Sequence, residues 1–298
     1  MARPKILHMI TPGRNVSAFD ANMAADAGYE IIIPHTEVTI DDISDLVQDA
    51  IFSRPPKNAA STGLFIGGHD VNVVADMLEV VRSSTVPPFE LSVFADPNGA
   101  FTTSGALIAL IEEHLRQEDG KGLDARTVKI FGGGPVGLCS AILALNLGAK
   151  ATLARLTANA RSDSVRNFAS RYDMEIPSES AIDDSQRIQA VSDAEVIICT
   201  AKAGVQVLDK SMLDQAERLL VAVDVNAVPP SGIEGVGASD NGNRVETARG
   251  SFAAMGALGI GGLKYKVQNQ LFERMLTSQD SVVIDLPEAF DEAVKHVG

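Results

Sequence analysis

The chain has little cysteine and little histidine. Cys139 and Cys199 are its only cysteines, and His8, His35, His69, His114 and His296 are scattered through 298 residues. No pair stands at ligand spacing, so neither a zinc ribbon nor another metal centre is predicted. Cys139 falls in an apolar helical stretch and Cys199 ends an apolar run. Both are expected to be buried free thiols of a reducing compartment. No stretch approaches 18 consecutive apolar residues, and Pro12-Gly13 breaks the short apolar run near the start. That argues against a membrane span and a secretory leader, and predicts a soluble cytoplasmic protein. Positive charge is also scarce: 25 Lys and Arg face 39 Asp and Glu, a net charge of −14. Nucleic acid and anionic membrane surfaces are therefore excluded as partners. A phosphate-bearing ligand would need local donors: glycine amides, helix N-termini and single arginines. No G-x-S-x-G occurs, and no cysteine has a histidine placed to make it a nucleophile.

What is present is alternation. Hydrophobic residues make up 45% of a chain long enough for two cores. Strand-like runs at Ile6–Ile10, 31–33, 64–66 and 91–95 alternate with helical spacing at 17–27, 41–52, 71–81 and 102–115. Such alternation predicts a parallel sheet covered on both faces. The polar stretch Glu118–Asp124, "EDGKGLD", reads as a linker. The pattern then restarts, with strands over 128–131, 151–154, 196–200 and 219–224. Residues 229–250 are rich in Gly, Ser, Asp and Asn and read mostly as loop. A long helix over 259–276, a strand at 282–284 and a helix over 287–296 follow. The predicted class is α/β, with two parallel-sheet α/β domains and a cleft between them. Residues 1–123 form a substrate domain and 124–269 a Rossmann-type dinucleotide-binding domain. Residues 270–298 are expected to pack back on the first.

Residues 129–150 read "KIFGGGPVGLCSAILALNLGAK". An apolar strand runs into Gly132, Gly134 and Gly137, spaced G-x-G-x-x-G, and a helix follows with Pro135 in its first turn. In that context the pattern predicts a dinucleotide. The first glycine permits the tight turn, the second admits the pyrophosphate and the third lets helix and strand pack closely. The acid that usually holds the ribose hydroxyls about 20 residues on is missing. No Asp or Glu lies between Asp124 and Asp163; Arg155 and Arg161 stand there instead. An arginine clasps a 2′-phosphate where a carboxylate repels it, so use of NADP, or of both NAD and NADP, is predicted. The expected cofactor contacts are Gly132, Gly133, Gly134, Pro135, Val136, Gly137, Arg155, Thr200 and Ala201, with Asp224 and Asn226 at a later strand end.

Two further polar clusters sit at strand ends. "FADPNGAFTTSGA" (residues 94–106) gathers Asp96, Asn98, Thr102 and Thr103, which suit either turn and capping work or substrate contacts. "GALGIGGLKYK" (residues 256–266) sets Lys264 just after a glycine-rich helix start, where it either reaches a ligand or is simply solvated. His69 lies at a strand-end loop, more in the manner of a helix-start residue than of a base.

Taken in order, Ile66–Asp70, D-x-N-G-x-x-T-T at 96–103, GGGPVG at 132–137, D-x-N-A-x-P-P-x-G-I at 224–233 and GALGIGGLK at 256–264 resemble one family. It is the bacterial NAD(P)-dependent methylenetetrahydromethanopterin dehydrogenase family of methylotroph C1 metabolism. The resemblance covers essentially the whole chain, and GALGIGGLK is its most specific string. It implies hydride transfer from the methylene carbon of N5,N10-methylene-tetrahydromethanopterin to NAD(P)+, giving the methenyl cation. It implies that Lys264 is the essential lysine and that Phe19 and Asp20 form a pterin-side pair. It further implies a homo-oligomer, a trimer among the forms. Relatives specific for NADP carry a Gly-Arg-Lys-like run after the second strand; Arg155-Leu156-Thr157 here departs from it and favours dual cofactor use.

This reaction needs no metal, covalent intermediate or strong base, because two flanking nitrogens spread the positive charge. Alignment of the reacting carbons at roughly 3–3.5 Å can supply about 7–11 kcal/mol. Lys264 could orient the pterin or act as a neutral amine, and Asp20 could favour the developing cation. The rival readings are a methylene-tetrahydrofolate dehydrogenase and a non-catalytic NAD(P)-binding regulatory protein.

Overall fold

The apolar runs of the first hundred residues become strands of one sheet, Thr62–Ile66 and Ser92–Ala95 buried throughout and the edge run 31–35 partly exposed. The computed structural model describes residues 3–158 and 162–297, the side chains of residues 57, 59 and 60 excepted. Arg161 therefore lies outside the described residues. The chain divides into two units, Met1–Thr102 with Tyr265–Ala293, and Thr103–Lys264 with Val294–Gly298.

The first unit contains β1 (Ile6–Ile10), α1 (Ala18–Asp26), β2 (Ile31–His35), α2 (Ile40–Phe52), β3 (Thr62–Ile66), α3 (Val71–Ser84) and β4 (Ser92–Ala95). Helix α4 (Ala100–Asp119) carries the chain onward. The second unit continues with β5 (Thr127–Phe131), α5 (Pro135–Asn146), β6 (Lys150–Arg155), α6 (Ser162–Ser170), β7 (Ser178–Ser180), α7 (Asp184–Ser192) and β8 (Val196–Cys199). It ends with α8 (Lys210–Leu213), β9 (Val221–Asp224), β10 (Asn241–Thr247) and β11 (Gly250–Met255). Helix α9 (Ala257–Thr277) returns to the first unit, where β12 (Val283–Ile284) and α10 (Leu286–Val294) close the chain.

The first sheet has the order β12-β4-β3-β1-β2, every pair parallel. The chain leaves β1 for β2 on one side, then crosses to β3 on the other. Its strand order therefore reverses between β1 and β3. The second sheet has the order β10-β11-β9-β8-β5-β6-β7, parallel except for the β10–β11 hairpin. From β7 to β11 this is the dinucleotide-binding order 3-2-1-4-5-6, with its reversal between β5 and β8. Ligands of such sheets bind beyond the carboxyl ends of the strands at the reversal. In the first unit Phe65, Phe94 and Phe272 meet with ring centroids 5.2–5.4 Å apart, which anchors the later turns of α9 on that sheet.

Three features differ from the sequence expectations. The limit between the units falls inside α4, at 102/103, and not at 123/124. Helix α4 runs on to Asp119, and the turn after it is tied back by Leu123 N–H donating to Glu112 at 2.7 Å. The chain rejoins the first unit at Tyr265, also inside a helix. The stretch 229–250, expected mostly as loop, contains β10. That strand is an exposed sheet edge whose apolar partner residues belong to β11, so its own sequence shows no alternation. Helices α6 and α7 had no expectation, being short and burying only Phe168, Ala169, Ala190 and Val191. No helix among the described residues is long and apolar enough to cross a membrane. Both cysteines are buried, and burial pushes the Cys199 thiol up to about 12.

The start of α10 carries a measurable pH signature. Burial, then a hydrogen bond shared with the Glu288 carboxyl, pushes Asp285 up to about 7, against the pull of Arg82 at 2.8 Å. An acid raised in the folded state keeps its proton where the unfolded chain has lost it. Its contribution is therefore full below about pH 4 and is lost as pH rises toward 7, on the order of 2–4 kcal/mol. Asp285→Asn removes the ionisation. Its thermal midpoint should gain on wild type by several degrees between about pH 5 and pH 8, read by calorimetry. A constant offset across that range would show that Asp285 does not titrate there.

Candidate functional site

The glycine turn stands at the strand reversal of the second sheet. Gly132 has φ +116°, a conformation that L side chains rarely adopt. A Cβ on Gly132 would meet Thr200 at 2.9 Å, and one on Gly137 would meet the Gly132 carbonyl at 2.1 Å and Thr200 Oγ1 at 2.6 Å. Those two glycines are packing requirements. Gly133 and Gly134 are different: they are exposed, and a Cβ on either meets nothing within 4 Å. The backbone there is open to a ligand's close approach. Helix α5 begins at this point with Gly134 as its N-cap and no capping side chain, whereas Ser17 and Asp70 cap α1 and α3. Its first N–H groups and its dipole face the open side.

Thr200, at the end of β8, ties the two strands of the reversal together. Its N–H donates to the Phe131 carbonyl at 2.9 Å and its hydroxyl to the Gly132 carbonyl at 3.1 Å. Ala201 packs on the buried cluster beneath, and Ser104 Oγ donates to the Val136 carbonyl at 2.9 Å, steadying the first turn of α5. Pro135 and Val136 are half-buried in that turn. Arg155 ends β6. Its Nε is enclosed without a hydrogen-bond partner, and among the described residues no carboxylate lies within ion-pair distance. A guanidinium without an ion-pair partner among the described residues, at this strand end, suits a phosphate. The pieces fit a dinucleotide: an open glycine backbone, an uncapped helix start and a cation where the ribose would lie.

Asp224 and Asn226 are placed differently. Asp224 is buried and accepts from the N–H groups of Asn226, Gly232 and Ile233 at 3.0, 2.6 and 3.3 Å. Burial pushes its carboxyl up, and these N–H groups oppose the rise. Asn226 donates to the Pro230 carbonyl at 3.0 Å and accepts from Val228 N–H at 2.9 Å. Both side chains shape their own loop.

The first unit holds a cavity of about 380 Å³ at its own strand reversal. The loops after β1, β3 and β4 line it, with Met9, Ile10 and Phe65 as apolar wall and Asp20, His69 and Asn98 as polar groups. That size and mixture suit a small organic ligand. Asp20 is 3% exposed, and its carboxylate accepts from Gln268 Nε2 at 2.6 Å. Phe19, beside it in the chain, is 46% exposed. Asn98 stands at φ 52°, which asparagine tolerates better than most residues. Asp96 and Thr102 are wholly buried: the Asp96 carboxylate accepts from Phe101 N–H at 2.9 Å and Thr102 Oγ1 at 2.6 Å, capping α4. Thr103 is half-buried on α4. Lys264 is half-buried and sits one turn before Gln268 on the same face of α9. Gln268 escaped the sequence reading. Its four-residue spacing from Lys264 was the available signal, but its partner Asp20 lies 248 residues away. Among the described residues, no three His, Cys, Asp or Glu side chains come together to hold a metal.

Comparison with known proteins matches two separate stretches of the chain. Residues 18–98 match the family "Methylene-tetrahydromethanopterin dehydrogenase, N-terminal", and residues 118–255 match "Alanine dehydrogenase/PNT, C-terminal domain". The NAD(P)-dependent methylenetetrahydromethanopterin dehydrogenase of Methylorubrum extorquens is 38% identical over 300 residues, covering 100% of both chains. The bifunctional protein MdtA of the same organism is 31% identical over 281 residues, 93% of this chain and 94% of its own. Among solved structures, the NAD-dependent malic enzyme of Thermotoga maritima aligns with a TM-score of 0.59 at 13% identity, covering 98% of this chain and 84% of its own. At that identity the likeness concerns the fold alone.

Proposed function

The chain belongs to the NAD(P)-dependent methylenetetrahydromethanopterin dehydrogenase family, and from that membership we propose how its residues serve the reaction. It is an oxidoreductase that takes a hydride from the methylene carbon of methylene-tetrahydromethanopterin. The observation that carries the residue assignment is the pair of strand reversals, each with the ligand-holding features its unit requires.

The bound NAD(P)+ supplies the hydride acceptor. Gly133 and Gly134 give its pyrophosphate an open backbone, and the α5 N-terminus offers N–H donors. Gly132, Gly137 and Thr200 hold that backbone in shape, while Pro135, Val136 and Ala201 set its floor. Arg155 takes the ribose end. Asp224 and Asn226 act indirectly, by fixing the 224–233 loop.

The pterin is assigned to the cavity of the first unit. Met9, Ile10 and Phe65 exclude water from one side, and Asn98 adds a polar contact. Phe19, outside the cavity lining, is assigned to the pterin only as the exposed neighbour of Asp20. Asp20, held by Gln268, presents a carboxylate in the same cavity as the apolar Met9, Ile10 and Phe65. As the hydride leaves, positive charge spreads over N5 and N10 of the pterin, and a preorganised anion favours that charge without reorganising. Lys264 is assigned to orient the pterin by hydrogen bonding, since a cation contributing by charge alone would oppose the methenyl product. Asp96, Thr102 and Thr103 act through the start of α4, which sets the position of Asn98. Family membership also supports a cytoplasmic homo-oligomer; the trimer is the form to test by light scattering.

Initial rates of NAD(P)H formation, measured with methylene-tetrahydromethanopterin and methylene-tetrahydrofolate and with both nucleotides, test the reading. Turnover is expected with the methanopterin substrate and with both nucleotides. Arg155→Ala should raise the KM for NADP+ about tenfold or more and that for NAD+ far less, as befits one lost charge-assisted contact. Turnover only with the folate would overturn the substrate, and equal losses for the two nucleotides would remove Arg155 from the 2′-phosphate.

A further inference from the structure

We propose that the first unit carries a second ligand site, for the dianionic phosphoryl group of a small phosphomonoester, near the amino ends of β1 and β3. A cavity of about 480 Å³ opens there, lined by Arg3, Ile6, His8, Ile33, Arg54 and Thr62 among others. Strand register explains the grouping. Ile6 pairs with Thr62, and His8 with Ile33, so these side chains rise from one face of the sheet.

The polar groups in this cavity are suited to donate. Thr62 belongs to the cavity lining and is 4% exposed, and its enclosed hydroxyl has no hydrogen-bond partner. A buried hydroxyl left unpaired is costly and rare, and it points to a ligand that accepts its proton. Arg54 donates to Ser61 Oγ at 3.1 Å, and among the described residues no carboxylate lies within ion-pair distance of it. In a chain of net charge −14, most arginines find an acid, as Arg82 finds Asp285 and Arg126 finds Glu195. His8 Nδ1 lies 3.0 Å from His35 Nε2, so the pair shares a proton along one edge. Burial, then the neighbouring His35 and Arg54, lower the titration of His8.

Guanidinium groups, a hydroxyl and an imidazole around one space match the oxygens of a phosphoryl group, with guanidinium supplying paired donors. Ile6 and Ile33 add an apolar wall that inorganic phosphate would leave unused, which favours an ester with an apolar body. The site shares no residue with the hydride-transfer assignment, so either reading can fail alone.

The test uses the full chain saturated with NAD+, so that phosphate cannot register at the glycine turn. Phenyl phosphate and inorganic phosphate are titrated separately at constant ionic strength, with the ring-nitrogen resonances of His8 and His35 observed by NMR. Saturable shifts are expected, with phenyl phosphate binding several-fold more tightly. Arg54→Gln should weaken binding about tenfold or more, and Thr62→Val about three- to tenfold, with unchanged NAD(P)H formation in the absence of added phosphate. Thr62→Val should also melt at or above the wild-type temperature without ligand, because a methyl replaces an unpaired hydroxyl. Shifts that follow sodium chloride alone, or affinities unmoved by both substitutions, would overturn the site. Tighter binding of inorganic phosphate would overturn the ester assignment.

Discussion

Lys264→Met is expected to lower kcat by about a hundredfold or more while the protein keeps its fold and its nucleotide affinity. Methionine retains the length and apolar stem of lysine, so the half-buried position on α9 stays filled. What is lost is the donor proposed to orient the pterin. Hydride transfer depends on alignment, and a misplacement of about 1 Å costs roughly a hundredfold. The loss should fall on kcat and on the KM for the pterin, with the KM for NAD(P)+ little changed. Steady-state rates with each substrate varied, beside circular dichroism and a thermal melt, distinguish this from misfolding. Wild-type turnover in the variant would end the assignment of Lys264. Gln268→Leu gives a related readout, because it removes one donor to the Asp20 carboxylate.

Gly137→Ala should damage both nucleotide binding and stability. Its methyl would stand 2.1 Å from the Gly132 carbonyl and 2.6 Å from Thr200 Oγ1. Neither can yield without moving α5 or opening the Thr200 tie, so a destabilisation of about 1–3 kcal/mol is expected. The KM for NAD(P)+ should rise at least about tenfold. Gly133→Ala separates the two effects, since its methyl meets no protein atom within 4 Å. That variant should melt like wild type yet bind NAD(P)H poorly, the methyl occupying space assigned to the pyrophosphate. Calorimetric titration with NADH and NADPH, together with melting curves, reads both. Unimpaired binding by Gly133→Ala would show that the nucleotide does not approach this turn.

The sequence displayed local chemistry well. The turn at 132–137 was legible because a strand, three glycines and a helix are adjacent in the chain, and because the steric demand of each glycine is local. The missing acid after β6 was legible for the same reason: one strand end decides it. Asp96 and Thr102 were legible as a cluster but not in their role, since capping and ligand contact use the same residue types at the same spacing. Burial decides between them, and burial is set by packing. Strand β10 was hidden because an edge strand takes its stability from its neighbour and not from its own composition.

By itself, then, the chain determined its two α/β halves, its glycine turn and its family, all of which are written in short contiguous spacings or in their order. Tertiary structure alone decided that Gln268 fixes Asp20 across 248 residues, that β12 joins β4, and that His8, Arg54 and Thr62 surround one cavity. Parallel strands must be joined by crossovers, so residues that meet at a strand end are far apart in sequence, and only the register of the sheet brings them together.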